Sequence, residues 1–220
     1  MLFFICLVLS VGIAVYLLIQ HYRSTFLPSR YDTILGLKQL PIQYQSTCGS
    51  CWAHSTSTAL QARLWFQTHH TDDITDVGDL LANTPGNNGC RGGTIKNAYS
   101  FCQQAGLLGS NGRRRLRTFR NLAGSRISDI KHELLSHGPV TAHVIEYPSM
   151  KKLGRHQTWK PLPDEPMVGG HAVVIYGWDD ERGGWLIQNS WGDAWCDAGR
   201  GVFGYTAGNI ESLHVYAGYF

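Results

Sequence analysis

From residue 52 to residue 66 the chain carries apolar side chains at 52, 53, 59, 60, 62, 64, 65 and 66, mixed with Ser, Thr, Gln and Arg. No Gly or Pro interrupts the run, which is long enough for about four helical turns. The turn-formers Ser46, Thr47, Gly49 and Ser50 precede it, so the pattern predicts a helix with Cys51 at its first turn, ending near residues 69–72. A short helix is expected over 74–82 and another over 94–104, the latter stopped by Gly106; between them residues 83–93 form a dense Asn, Pro and Gly turn cluster. A fourth helix follows, with Ser128 as its expected N-cap and Gly138-Pro139 as its stop. Strand patterns then take over at 140–145, 172–178, 185–189 and 201–205, with 179–184 as a hairpin turn. A helical first half and a β-rich second half predict an α+β architecture, a helical lobe against an antiparallel sheet or barrel.

The N-terminus has a different pattern. Residues 1–19 contain no charged side chain, nearly the length that crosses a bilayer as a helix, with Tyr16 and Tyr22 where an interfacial aromatic belt would lie. The expected organisation is a membrane anchor over 1–20, a polar tether over 21–26 and a globular body over 27–220. A signal peptide is the alternative, and cleavage after residue 14 would make the product secreted; against it, the run is long for an h-region and lacks a basic n-region. Arg23, Arg30 and Lys38 follow the segment and direct the body toward the cytosol. The cysteines, below, direct it to the lumenal or extracytosolic side.

Composition narrows the class. In 220 residues only 16% are charged and 25 are glycine, which describes a compact, loop-rich globule. A net charge of +3 gives no footprint for nucleic acid. Arg113, Arg114, Arg115, Arg117 and Arg120 crowd one segment, read as a solvated loop between the halves, with a processing site or an acidic-lipid or acidic-substrate patch as alternatives.

The candidate chemistry begins at Cys51. A thiol at a helix N-terminus meets unpaired amides and the positive end of the helix dipole, which favour thiolate. Gln45, six residues earlier, could return its side-chain amide to the same spot as an oxyanion donor. Cys48 and Cys51 also have redox-motif spacing, and half of a zinc site; Cys6, Cys90, Cys102 and Cys196 are scattered singly and supply no second ligand pair, so no metal is expected. A thiol nucleophile needs a base, and the base needs a group to orient it. Among 10 histidines His171 stands out, after Gly169-Gly170 and before the apolar run 172–175. Eighteen residues on, across the hairpin, Asn189 can sit beside it and fix its tautomer, with Trp191 shielding the bond from water. His54 is the rival base.

Four ordered motifs then resemble one family: Cys48-Gly49-Ser50-Cys51-Trp52-Ala53-His54, Gly169-Gly170-His171-Ala172, Asn189-Ser190-Trp191-Gly192 and Asn209-Ile210-Glu211-Ser212. They are similar to the papain-like cysteine peptidases, cathepsins B and X in particular, from about Leu27 to the C-terminus. The resemblance implies a papain-like two-lobed fold with a cleft between the lobes and a thiol-dependent peptidase acting on polypeptides without a cofactor. It implies Cys51 as nucleophile, His171 as acid and base, Asn189 as orienter and Gln45 as oxyanion donor. Gly92 and Gly93 match a backbone ledge that pairs with extended substrate, Leu213 stands where cathepsin B has the glutamate of its S2 pocket, and Cys48 with Cys90 matches a disulfide. Leu213 implies a preference for apolar P2 side chains, and the Cys48 to Cys90 pairing an oxidising compartment. Cys102 and Cys196 are expected to be free thiols.

The resemblance also has gaps. The segment 107–128 is short and has no occluding-loop histidine pair, and the cathepsin X insertion before Cys48 is missing, which favours endopeptidase action. Residues 20–26 cannot encode an inhibitory propeptide, so restraint is expected from location, expression timing or a separate inhibitor. A catalytically silent binding module is the alternative from another functional class, and a thiol-disulfide exchanger using Cys48 and Cys51 a third.

Overall fold

The computed structural model describes residues 27–34, 40–68 and 74–220. The expected membrane anchor, the tether and the predicted end of the first helix lie outside the described residues. Among the described residues no helix is long and apolar enough to cross a membrane.

The described chain begins with a short strand β1 (Arg30–Asp32) and reaches α1 (Cys51–Thr68), whose first residue is Cys51, as the change of pattern there predicts. α2 (Val77–Asn83) starts later than its apolar pattern suggests, because Asp76 caps it: the Asp76 carboxylate accepts from the N–H groups of Gly78 and Asp79. Thr75 instead forms an isolated bridge with Gly109, and the Ile74 carbonyl accepts from the Ser110 N–H. α3 (Ile95–Gln104) is capped by Thr94, whose hydroxyl accepts from the Asn97 N–H.

The arginine-rich segment is a correction to the loop reading. It forms a hairpin, β2 (Leu107–Gly109) with β3 (Gly112–Arg114), followed by β4 (Thr118–Asn121). Its arginines remain exposed to solvent, as expected, but two are tied down: Arg113 makes a bidentate pair with Asp79 at 2.6 and 2.9 Å, and Arg117 donates to the Phe220 carbonyl. α4 (Ile127–His137) opens two residues earlier than expected, with Arg126 and not Ser128 at the N-cap, and Asp129 returns its carboxylate to the Arg126 N–H. Then come β5 (Val140–Glu146), α5 (Pro148–Lys151), β6 (Thr158–Trp159), β7 (Gly169–Asp179), β8 (Gly184–Gln188), β9 (Arg200–Gly204) and β10 (Val215–Tyr219).

Eight strands join one sheet in the order β4-β10-β5-β7-β8-β9-β6, with β1 also paired to β7; every pairing but β6 with β9 is antiparallel. β7 is covered on both faces, buried from His171 to Asp179, which explains why its sequence is nearly continuous in apolar residues and not alternating. Val173 and Ile175 pack into a core with Val140, Ala142, Ile187 and Phe203. Val174 and Tyr176, on the other face, meet Ala59, Ala62 and Trp65 of α1. Further along, α1 packs Trp52, Ala53 and Leu60 against α2 and α3 through Leu80, Ala98 and Tyr99. The helix is thus enclosed between the sheet and the other helices. That enclosure is why it shows no clean amphipathic stripe: Ser55, Thr56, Ser57, Thr58, Gln61 and Arg63 are buried with the apolar residues. Several of these polar groups are bonded inside, Ser55 to the Cys51 carbonyl at 2.7 Å and Gln61 to Thr75 at 2.8 Å.

Candidate active site

The loop before α1 is tied to the turn cluster by a Cys48–Cys90 disulfide. Gly49 donates to the Cys90 carbonyl, and any Cβ on Gly49 would lie 2.7 Å from that oxygen, so the close crossing needs glycine. The expected bridge is therefore formed, and Cys102 and Cys196 are free, as is Cys51. The bridge holds the loop that delivers Cys51 to the head of α1.

Cys51 and His171 line one cavity of about 470 Å³, between α1, the Gly93–α3 segment and the edge formed by β5, β7 and β10. The main-chain N–H groups of Ala172, the residue after His171, of Trp52 and of Cys51 itself favour the thiolate form of Cys51. His171 is 3% exposed and its Nε2 lies 2.8 Å from Asn189 Oδ1. The Ser190 N–H donates to that same Asn189 oxygen at 2.8 Å, which identifies it as the amide oxygen, since two donors would not share a nitrogen. The bond therefore puts the His171 proton on Nε2 and leaves Nδ1 as the basic nitrogen. The Trp191 ring lies 4.8 Å from the His171 ring, centroid to centroid, and covers it as expected.

Gln45 also reaches this corner. Its Oε1 accepts from the Ser190 hydroxyl at 2.6 Å and its Nε2 donates to the Cys48 carbonyl at 2.8 Å, which fixes the amide plane and commits one of its two N–H bonds. Ser190 is the residue that orients both amides, Gln45 and Asn189, and its position inside the Asn189-Ser190-Trp191-Gly192 motif was the available signal for it.

Gly92 has φ +110°, a conformation that disfavours any side chain, and its carbonyl accepts from Asn88. Gly93 lines the cavity, and its main-chain N–H and carbonyl make no hydrogen bond among the described residues. An edge of this kind can pair with an extended peptide. Leu213 is a correction: it does not line the cavity, and His214 and Tyr216 do. Val215, the first residue of β10, packs into the inner core, while His214 just before it is held beside β5 by the His143 N–H, which donates to its carbonyl at 2.8 Å. His143 lines it as well, a residue that the strand reading of 140–145 passed over. His54, the rival base, lies with Asn189 and Ser190 around a separate small cavity.

The electrostatics differ from the helix-dipole expectation for Cys51. Burial pushes the Cys51 thiol up, outweighing the N–H groups of Ala172, Trp52 and Cys51 that pull it down; Glu146 adds to the upward push. Burial likewise pushes the His171 imidazole down, against the Asn189 bond and the Glu146 carboxylate. Each ion alone is thus disfavoured by desolvation. The sign follows for a His171→Ala variant: without imidazolium, burial dominates, and the pH midpoint for alkylation of Cys51 by iodoacetamide is expected above the ordinary thiol value of about 8.5. A midpoint below about 8 in that variant would show that the helix terminus alone holds the thiolate.

Among the described residues no cluster of His, Cys, Asp or Glu could hold a metal ion. The fold resembles that of a procathepsin B, "proCathepsin B S9 from Trypanosoma congolense", with a TM-score of 0.79 at 21% identity over 88% of this chain and 78% of that one. Among curated relatives, mouse (Mus musculus) cathepsin K is 26% identical over 77% of this chain and 57% of its own length, and mouse cathepsin J 28% identical over 80% and 60%. The chain thus spans somewhat over half the length of these relatives. The sequence model described as "Papain family cysteine protease" matches residues 27–113 and 109–212, most of the described chain. With that match over a papain-like fold, the chain belongs to the papain family of cysteine proteases.

Proposed function

We propose that this protein is a thiol-dependent endopeptidase in which Cys51 and His171 are the catalytic pair. The observation that carries the reading is the fixed tautomer: Asn189 holds the Nε2 proton of His171 while Cys51 lines the same cavity. The Cys51 thiol passes its proton to His171 Nδ1 and the sulfur attacks a peptide carbonyl, forming a C–S bond. The carbonyl oxygen, now an anion, is held by the Cys51 N–H and the remaining N–H of Gln45. His171 returns the proton to the departing amine as the C–N bond breaks, leaving a thioester. Water, deprotonated by His171, then displaces the sulfur, releasing the acid and regenerating the thiol. Gly93 pairs with the extended substrate, and Trp191 keeps water from the His171–Asn189 bond.

Endopeptidase action is supported by the folding of residues 107–121 into the β2–β3 hairpin and β4, none of which lines the cavity. The Cys48–Cys90 bridge supports an oxidising compartment for the body, on the far side of a membrane anchor at residues 1–19 or after secretion.

The test is labelling of the full chain by an epoxide that traps reactive thiols, under reducing conditions at about pH 6, together with a peptide-library digest. Modification confined to Cys51, with cleavage inside peptides and none by Cys51→Ala, is the expected result. No modification of Cys51 and no cleavage would leave a binding module with this fold.

A further inference from the structure

The cavity beside Cys51 has a wall that the catalytic reading does not use. His214, just before β10, lies beside His143 of β5 and Ala172 of β7: His143 pairs with Ala172, and its N–H donates to the His214 carbonyl at 2.8 Å. The two imidazoles meet edge to face with centroids 6.4 Å apart. Tyr216 stands two residues along β10 on the same face, and Lys96 lines the opposite wall at the first turn of α3. No Asp or Glu lines this cavity. We infer that this wall is a recognition site for a carboxylate side chain of the peptide substrate, with His214 supplying an N–H donor and His143 a charge that appears as the pH falls.

The division of labour comes from the bonds already made. Asn121 Oδ1 accepts from the N–H groups of Ala123 and Val215, so the Asn121 amide nitrogen is the atom 3.2 Å from His214 Nδ1 and donates to it. His214 therefore carries its proton on Nε2 and presents an N–H without needing to be charged. His143 has no such tie: its Nδ1 is buried with no hydrogen-bond partner among the described residues, and its Nε2 fills the space where any Cβ on Gly170 would sit. Gly170 is thus required to admit the His143 ring, independently of its neighbour His171.

In the empty cavity His143 is held below the ordinary imidazole value, by burial first and by His214 second. The other titratable or charged groups lining the cavity are Cys51, Lys96, His171 and Tyr216; Glu146 acts on Cys51 and His171 from beyond them and is itself paired to Lys151 at 3.3 Å. A carboxylate entering this space meets no anion but the thiolate and raises the His143 value toward the working range. The sign is then set. Binding of an acidic side chain takes up a proton, so its advantage grows as pH falls through the imidazole range and fades as pH rises.

This inference deepens the hydrolase reading, and its test separates the two. The full chain carrying Cys51→Ala is titrated with fluorescent peptides identical except for Glu or Gln at the second residue before the bond to be cleaved. Between about pH 7.5 and pH 5 the affinity ratio of Glu over Gln is expected to rise about tenfold, the scale of one charge-assisted hydrogen bond. Adding His143→Gln flattens that rise. A Glu to Gln ratio at or below one at about pH 5 overturns the inference, whether or not the His143→Gln variant folds. The kcat/KM values of the unmutated chain on the same peptides form the second arm. A rising binding ratio without hydrolysis supports the carboxylate site and sinks the hydrolase reading; hydrolysis with a flat ratio does the reverse.

Discussion

Loss of the His171 imidazole is expected to lower kcat/KM for peptide hydrolysis by about 10⁴-fold, and Cys51→Ala by at least as much. The double variant is expected to fall no further than the worse single. The reason is that burial disfavours each charge alone, and in the proposed pair each ion is held by the other. Removing either member removes the reactive state, and removing the second finds nothing left to lose. What then remains is the N–H array around the Cys51 position and the peptide-binding edge. The measurement is single-turnover cleavage of one fluorogenic peptide by all four proteins. A double variant slower than either single by the product of their separate losses would mean that the two groups act independently, and the proposed pair would fail.

The second large effect is on stability. Replacing Arg63 by methionine is expected to destabilise the fold by about 3–5 kcal/mol. Arg63 is fully buried in the middle of α1, and its guanidinium reaches four acceptors. Nε donates to the Gly218 carbonyl at 2.5 Å, Nη1 to the carbonyls of Gly138 and Pro139 at 3.1 and 3.2 Å, and Nη2 pairs with Glu133 at 2.7 Å. One side chain thus ties α1 to the end of α4, the turn into β5, and β10. Methionine fills much of the volume but leaves three carbonyls and a nearly buried carboxylate without it, although Tyr219 still donates to Glu133 at 2.9 Å. Urea unfolding of Arg63→Met, and of Arg63→Met with Glu133→Gln, checks this. The second change should recover part of the loss by removing the stranded charge; a single-variant loss under about 1 kcal/mol would refute the assignment.

Arg63 also illustrates what a one-dimensional pattern cannot carry. In the sequence it is one polar residue among several in a mixed run, and nothing nearby names its partners, which lie 70 to 155 positions away. The same holds for the arginines after Gly112. A cluster of like charge in sequence reads as a solvated loop, yet Arg113 finds Asp79 on α2, 34 positions earlier. Local features survived folding better. Gly and Asn punctuation, the apolar run after Cys51 and the strands from Val140 onward were placed within a few residues. Helix starts shifted where a capping carboxylate, Asp76 or Asp129, competed with the apolar pattern.

The site divides along the same line. Cys51 at a helix head, the His171 and Asn189 strands joined by a tight turn, the Cys48 to Cys90 pairing and the family could be read from residue order, because each rests on short-range spacing or on a recognisable motif. Folding alone settled which side chains wall the cavity and which way burial moves the thiol. Leu213 and His214 differ by a single step along the chain, and the bond from the His143 N–H to the His214 carbonyl, just before β10 begins, brings the histidine to the cavity. The helix dipole that favours thiolate is a local field carried by α1, whereas the desolvation that opposes it is imposed by distant segments closing over the sulfur, and that sum exists only once the sheet and the helices have packed together.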